Sequence, residues 1–351
     1  MAERNTVLVM ETKKIYLEYL RIVASFLVIV NHTNSLVFLS RAPSCTWFLS
    51  ITWFFICKIA VPLFLMISGA LLLQRQDTFR KTVSRFFRVF VVFFVCSAGC
   101  YIFFQWNSTE ESSALLFLAK FFSGSPVSNA YWYFYLYLGL LLTMPLLQRM
   151  AAALSQKGVL WLILLSVGIR GVLPLIEIFT KHPANFFWEG GLFSTYIGLL
   201  FAGYYIDRYM KLEHRHFWIA LTVFIVLVAF EVIYTYFLYL EDAEEYLYLD
   251  NRTLLPITAS SACAFLMVKH LLSWKQPSPA AEKKISQIGG LTFGIYLLSD
   301  PAIRATRGFY SYLSGRVNAF AAVVVWEVIL YLFCGLVIVV IRMIPGVKKW
   351  I

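Results

Sequence analysis

The sequence predicts an all-α, polytopic transmembrane helix bundle of about ten spanning helices, and three observations carry that reading. Sixty per cent of the 351 residues are apolar and 14% charged, with mean hydropathy +0.73, whereas soluble domains run nearer half apolar and a quarter charged. The apolar residues fall in runs of about 18 or more, the length a helix needs to cross a bilayer. Lys and Arg collect in alternate loops between those runs. A soluble fold is excluded. No polar stretch reaches domain size, so 1–351 reads as a single membrane domain. Met1 to Lys14 is polar and lacks an apolar stretch ending in a small-residue cleavage site, so the first helix is expected to remain in the mature protein.

The spans follow one another in order. The first, 15–40, carries Glu18, Arg21 and His32; the second, 46–73, carries Lys58; the third, 86–104, opens on a basic cluster. Ala114 to Phe122 is apolar but too short to span and is expected to lie at the interface or re-enter. The fourth, 131–148, begins with the aromatic run Tyr131 to Tyr137, expected as an interfacial belt with Trp132. The fifth, 159–179, holds Arg170 and Glu177, which can pair along the helix. The sixth and eighth, 188–206 and 253–272, are plainly apolar, and Glu231 in the seventh, 217–240, can face the interior or Lys58. Asp300, Pro301 and Arg304 interrupt the ninth, 289–306, and 319–342 is the tenth.

Charge orients the bundle. If the N-terminus is cytosolic, the cytosolic loops hold Arg75, Arg80, Lys81, Arg85 and Arg88, then Arg149 and Lys157, then Arg208, Lys211 and Arg215. Lys269, Lys275, Lys283 and Lys284 continue the series, and Arg342, Lys348 and Lys349 close it. The opposite loops are poor in Lys and Arg, and the loop from Glu241 to Asp250 is acidic. The positive-inside rule therefore predicts a multi-pass plasma-membrane protein with both termini cytosolic and the bilayer as its first partner. The net charge of +11 is explained this way, with no nucleic-acid partner expected. The six cysteines are scattered through apolar segments without the spacing of a metal site or a disulfide framework, so no metal is expected.

An ionisable side chain at mid-bilayer costs on the order of 3 kcal/mol unless it pairs or faces water, so such residues are site candidates by default. Eleven steps of about 100° bring Arg21 and His32 to one face of the first helix, about 16.5 Å apart along its axis. Glu18 lies one turn from Arg21, where the two can pair. Two readings stand side by side: an anion site near the cytosol with base chemistry deeper in, or a neutralised interfacial pair and a histidine that hydrogen-bonds a neighbouring helix. Arg85 and Arg88, about one turn apart, suit phosphate groups, although positive-inside charge and anionic-lipid binding explain such clusters more often. No Gly-rich phosphate loop, Ser-His-Asp spacing or HExxH motif is present.

These residues resemble acyltransferase family 3, membrane proteins that O-acylate cell-surface glycans and other acceptors. The resemblance rests on Glu18, Arg21 and His32 in that spacing, on Val61-Pro-Leu-Phe-Leu-Met-Ile-Ser-Gly-Ala-Leu-Leu-Leu73, and on the basic loop with Arg85-x-x-Arg88. Tyr131-Trp-Tyr-Phe and Ile285-Ser-Gln-Ile-Gly-Gly-Leu-Thr-Phe-Gly-Ile-Tyr-Leu-Leu298 extend it, so that it covers about 15–342. It implies transfer of an acyl group, most simply acetyl, from cytosolic acyl-CoA as co-substrate, with no tightly bound cofactor, to a hydroxyl of a glycan or related acceptor. Arg85, Arg88 and Arg21 would bind the donor, Glu18 would fix Arg21, and His32 would act as base or transient acyl carrier. The competing reading is a transporter of a small molecule such as an amino acid or acyl group. Two departures matter: Ser299-Asp300-Pro301 stands where many members have a histidine before proline, and no extracytoplasmic domain is appended, so transfer is expected to finish within the membrane domain.

Overall fold

A computed structural model describes residues 14–106, 113–123, 127–180, 182, 194–241, 254–275 and 277–350, which are helical with no strand among them. Residues Ile15–Thr33 form α1 and Ser35–Phe38 form α2; Cys45–Lys58 and Ala60–Leu72 form α3 and α4, a single span stepped at Ile59. Then come α5 (Phe79–Gln105), α6 (Ala114–Phe122), α7 (Trp132–Ala153), α8 (Gln156–Thr180), α9 (Thr195–Tyr209) and α10 (His214–Glu241). The chain ends in α11 (Leu254–Trp274), α12 (Pro279–Gly289), α13 (Thr292–Ser314) and α14 (Ala319–Met343). Among the described residues, eight stretches are long and apolar enough to cross a membrane. The two other expected spans differ. Of 188–206 the described part begins at Ser194 and yields the 15-residue α9, and the ninth becomes α13, 23 residues carrying Asp300, Arg304 and Arg307. Pro301 sits inside α13, whose charge is partly neutralised by the Arg304 Nε to Asp300 Oδ2 pair at 3.4 Å.

The centre of the bundle is α1, which packs against α3, α4, α11, α12, α13 and α14. Its sequence explains the position: Leu17, Leu20, Ala24, Leu27, Val28, Ile29 and Val30 are buried and distributed round the helix, the pattern of an element enclosed on every side. By contrast α10 exposes Trp218, Ile219, Val223, Ile225 and Phe230, the composition of a lipid-facing surface. Ser44, Thr78, Ser113 and Ser278 cap the N-termini of α3, α5, α6 and α12, accepting backbone N–H bonds that would otherwise be orphaned. The short α6 does not span; Phe117 and Phe121 pack on Phe94 of α5. The acidic loop lies, apart from Glu241, outside the described residues, as do the side chains of Arg170 and Glu177.

Hydrophobic burial does not drive helices together in lipid, so close association rests on small residues and polar bonds. Both are present. At the α4–α9 crossing a Cβ on Gly69 would overlap the Leu200 backbone and one on Gly203 the Met66 backbone. We expect Gly203→Ala to destabilise the fold by about 1–3 kcal/mol by forcing these helices apart. Gly99→Ala faces open space and serves as the control. Equal melting temperatures for the two variants in detergent would show that the crossing yields freely. At one end of the bundle Asp207 of α9 binds Lys14 at 2.6 Å and also accepts from Tyr16 and Gln74, tying α9 to α1 and α4. Lys269 of α11 donates to the carbonyls of Ile206, Asp207 and Met210 at 2.6, 3.1 and 3.1 Å, closing the C-terminus of α9. Lys269, counted from sequence only as orienting charge, is thus also a structural clamp, as is Lys14. Toward the other end, Glu327 of α14 accepts from Thr33 at 2.8 Å and Trp53 at 3.0 Å.

Candidate functional site

Arg21 lies one turn after Glu18, and its Nη1 donates to Glu18 Oε2 at 3.0 Å. A side chain on Gly289, at the end of α12, would collide with the Glu18 carboxylate, so a glycine there lets α12 pack against the pair. The pairing expected from sequence is thus present. Its guanidinium faces a cavity of about 470 Å³ at the basic end of the bundle.

The second wall comes from α5. Thr78 caps it, and its first turns carry Arg85 and Arg88 on one face, both against the same cavity as Arg21. Arg85 Nη2 pairs with Asp77 Oδ2 at 2.9 Å, and Gln148 of α7 holds this loop by accepting from the Asp77 N–H at 3.2 Å and donating to Leu72 O at 2.9 Å. Burial pushes the Asp77 carboxyl up, but the hydrogen bond and charge of Arg85 outweigh it and hold the group below its ordinary 3.8. Asp77 is therefore ionised at neutral pH and fixes Arg85 in place. The other terminal nitrogen of Arg85, Nη1, is buried without a hydrogen-bond partner among the described residues. That donor is available to a ligand.

Three cations escaped the sequence reading as site residues: Arg75, Lys348 and Lys349 also line the cavity. They carry the same signal as any cytosolic-loop charge, so sequence alone gave no means of separating them. The deep wall is aromatic: Phe64, Tyr133 and Tyr296 meet with centroids 5.7–6.1 Å apart, Tyr133 and Tyr296 stacked at 16°. This corrects the expectation of an interfacial belt. Tyr131 and Tyr133 are buried in the bundle, Tyr137 lines the cavity, and only Trp132 of that run points outward as a belt residue would. A period-3.6 reading of 131–137 separates Trp132 from its neighbours; residue type alone did not.

His32 is not part of the cavity lining. It lies in the last turn of α1, half-buried, beside Thr33 and its bond to Glu327. The charged groups that bear on it are Asp300 of α13 and Lys58 of α3. Asp300 stands immediately before Pro301, the position where the family resemblance leads one to expect a histidine. Glu231 is fully buried, and Lys58 Nζ lies 4.2 Å over the Phe54 ring. Among the described residues no group of His, Cys, Asp or Glu side chains is arranged to hold a metal ion.

Arg75, Arg88, Lys348 and Lys349 have no ion-pair partner among the described residues, while Arg21 and Arg85 each have one. A cavity with that excess of positive charge, cut into a membrane bundle, has the electrostatics to attract a polyanionic ligand. The family is more specific than the site. The model of acyltransferase family 3, described as an acyltransferase domain, matches residues 14–344, and the chain belongs to that family: it is a membrane acyltransferase. No curated protein and no solved structure matches the chain.

Proposed function

We propose that the protein transfers an acyl group, most simply acetyl, from cytosolic acyl-CoA to a hydroxyl of a cell-surface glycan or related acceptor in the plasma membrane. The observation that carries this reading is the convergence of Arg21, Arg85 and Arg88 on one cavity, with His32 deeper on the helix that carries Arg21. The Lys and Arg asymmetry of the sequence supports a cytosolic location for the basic end. Arg88 and the free nitrogen of Arg85 bind donor phosphates as charge-assisted contacts, and Glu18 holds Arg21 toward them. The pantetheine arm runs from the cavity past Tyr133 and Tyr296 along α1, over the offset of about 16.5 Å to His32.

At His32 the chemistry balances simply. The acceptor oxygen attacks the thioester carbonyl, neutral imidazole takes the hydroxyl proton, the carbon–sulfur bond breaks, and the imidazolium returns the proton to the leaving thiolate. The products are the ester and free CoA. An acyl-imidazole formed first and then attacked by the acceptor gives the same balance in two steps. Purified protein supplied with acetyl-CoA should release free CoA thiol, faster when a hydroxyl acceptor is added. Flux of a small solute across vesicles without any thioester cleavage would instead make the protein a transporter.

A further inference from the structure

Beyond the last spanning helix the chain does not leave the bundle. Arg342, in the last turn of α14, donates from Nη2 to Gly290 O at 2.5 Å. Pro345 and Gly346 follow, and Gly346 adopts φ +87°, a left-handed conformation that turns the chain and that a side chain would strain. Val347–Lys349 then form one 3-10 turn. The result is that Lys348, Lys349 and Trp350 line the same cavity as Arg21, Arg85 and Arg88, together with Gly289 and Gly290. A segment needed only to orient the helix would have no reason to be clamped and turned this way.

We propose that residues 345–350 complete the donor site, with Lys348 and Lys349 binding phosphate groups of the nucleotide end of acyl-CoA and Trp350 stacking on its purine base. The assignment rests on the acyl-CoA reading above and adds to it a division of labour. The arginines rooted in α1 and α5 hold the inner phosphates, and the turn after α14 recognises the outer, 3′-phosphorylated nucleoside. The chemistry fits. A phosphomonoester carries about −1.5 to −2 charge at neutral pH, which two ammonium groups match, and an indole left about half exposed (48%) offers a face to a base. It also explains why these lysines lack carboxylate partners among the described residues, unlike Arg21 and Arg85.

The test compares acetyl-CoA, its 3′-dephospho form and S-acetylpantetheine as donors for purified wild type and for Lys348→Ala/Lys349→Ala, in neutral detergent without anionic lipid. The ratio of kcat/KM for acetyl-CoA over S-acetylpantetheine should fall about tenfold in the double variant, as expected for losing a charged hydrogen bond near solvent. With the 3′-dephospho donor the fall should be smaller, and Trp350→Ala should lower the same ratio through KM. A ratio unchanged in the double variant, with a wild type that binds CoA, overturns this proposal alone. So does a double variant that loses only binding to vesicles containing anionic phospholipid, since the lysines then serve headgroups. Equal losses for all three donors assign the turn to general stability. A wild type that neither binds nor consumes CoA removes the acyl-CoA reading itself, and this proposal with it.

Discussion

His32→Ala should lower acyl transfer by at least about 10²-fold, equivalent to about 2.7 kcal/mol of barrier, while CoA affinity stays near wild type. The separation of the two effects follows from the structure, because Arg21, Arg85 and Arg88 line the cavity and His32 does not. A histidine serving only as a packing or hydrogen-bond partner behaves differently. Its loss would disturb the last turn of α1, where Thr33 is bonded to Glu327 and the Asn34 and Ser50 side chains meet at 3.0 Å. Melting temperature would then fall, and transfer would fall only in proportion to folded protein. The measurement is thiol release from acetyl-CoA alongside CoA binding on the same preparation. Near-normal transfer by a well-folded variant would take His32 out of the mechanism and turn attention to Glu327, the buried carboxylate one turn-neighbour away through Thr33.

The fold was legible in the sequence because lipid imposes one rule, that every backbone polar group be satisfied within a helix. Apolar runs therefore translate almost directly into α1, α5, α10 and α14. Where charge enters a run, the rule loses force: α13 continues through Asp300, Pro301 and Arg304 because the acid and the arginine, four residues apart, neutralise each other. The stepped span of α3 and α4 and the break after Thr33 were not legible, since they are fixed by tertiary bonds such as Asn34 Nδ2 to Ser50 O at 2.6 Å. The site was legible in part. Helical geometry alone put Glu18 against Arg21, and one-turn spacing put Arg85 beside Arg88. Asp77 and Arg75 sit in the loop before α5, Lys348 and the aromatic wall come from distant elements, and no local pattern distinguishes any of them from ordinary loop charge or ordinary core. The closest sequence signal for the turn after α14 is Pro345-Gly346, which marks a chain reversal without saying what lies opposite.

Arg85→Ala and Arg88→Ala together should raise the CoA dissociation constant by about 10²-fold or more, each lost charge-assisted contact costing on the order of 1.5–3 kcal/mol. The two residues should not contribute alike. Arg85 is anchored by Asp77, its side chain only 18% exposed, so it pays little ordering cost on binding and its removal also leaves the Asp77 carboxylate without its cation. Arg88 is exposed and should show the smaller loss, more sensitive to added salt. Arg85→Lys should recover only part of the affinity, because a lysine cannot hold Asp77 and a phosphate at once through a planar fork. Asp77→Asn supplies a second check: it keeps the size of the side chain and the bonds of the loop to Gln148 but releases Arg85 from its ion pair. Donor affinity should then fall through loss of positioning even though the cavity has gained net positive charge. If attraction by net charge were all that mattered, Asp77→Asn would bind CoA more tightly than wild type. Isothermal titration of CoA to wild type, Arg85→Ala, Arg88→Ala, the double variant, Arg85→Lys and Asp77→Asn at two salt concentrations decides between these outcomes, and unchanged affinity in a folded Arg85→Ala/Arg88→Ala protein would return both arginines to the positive-inside rule alone.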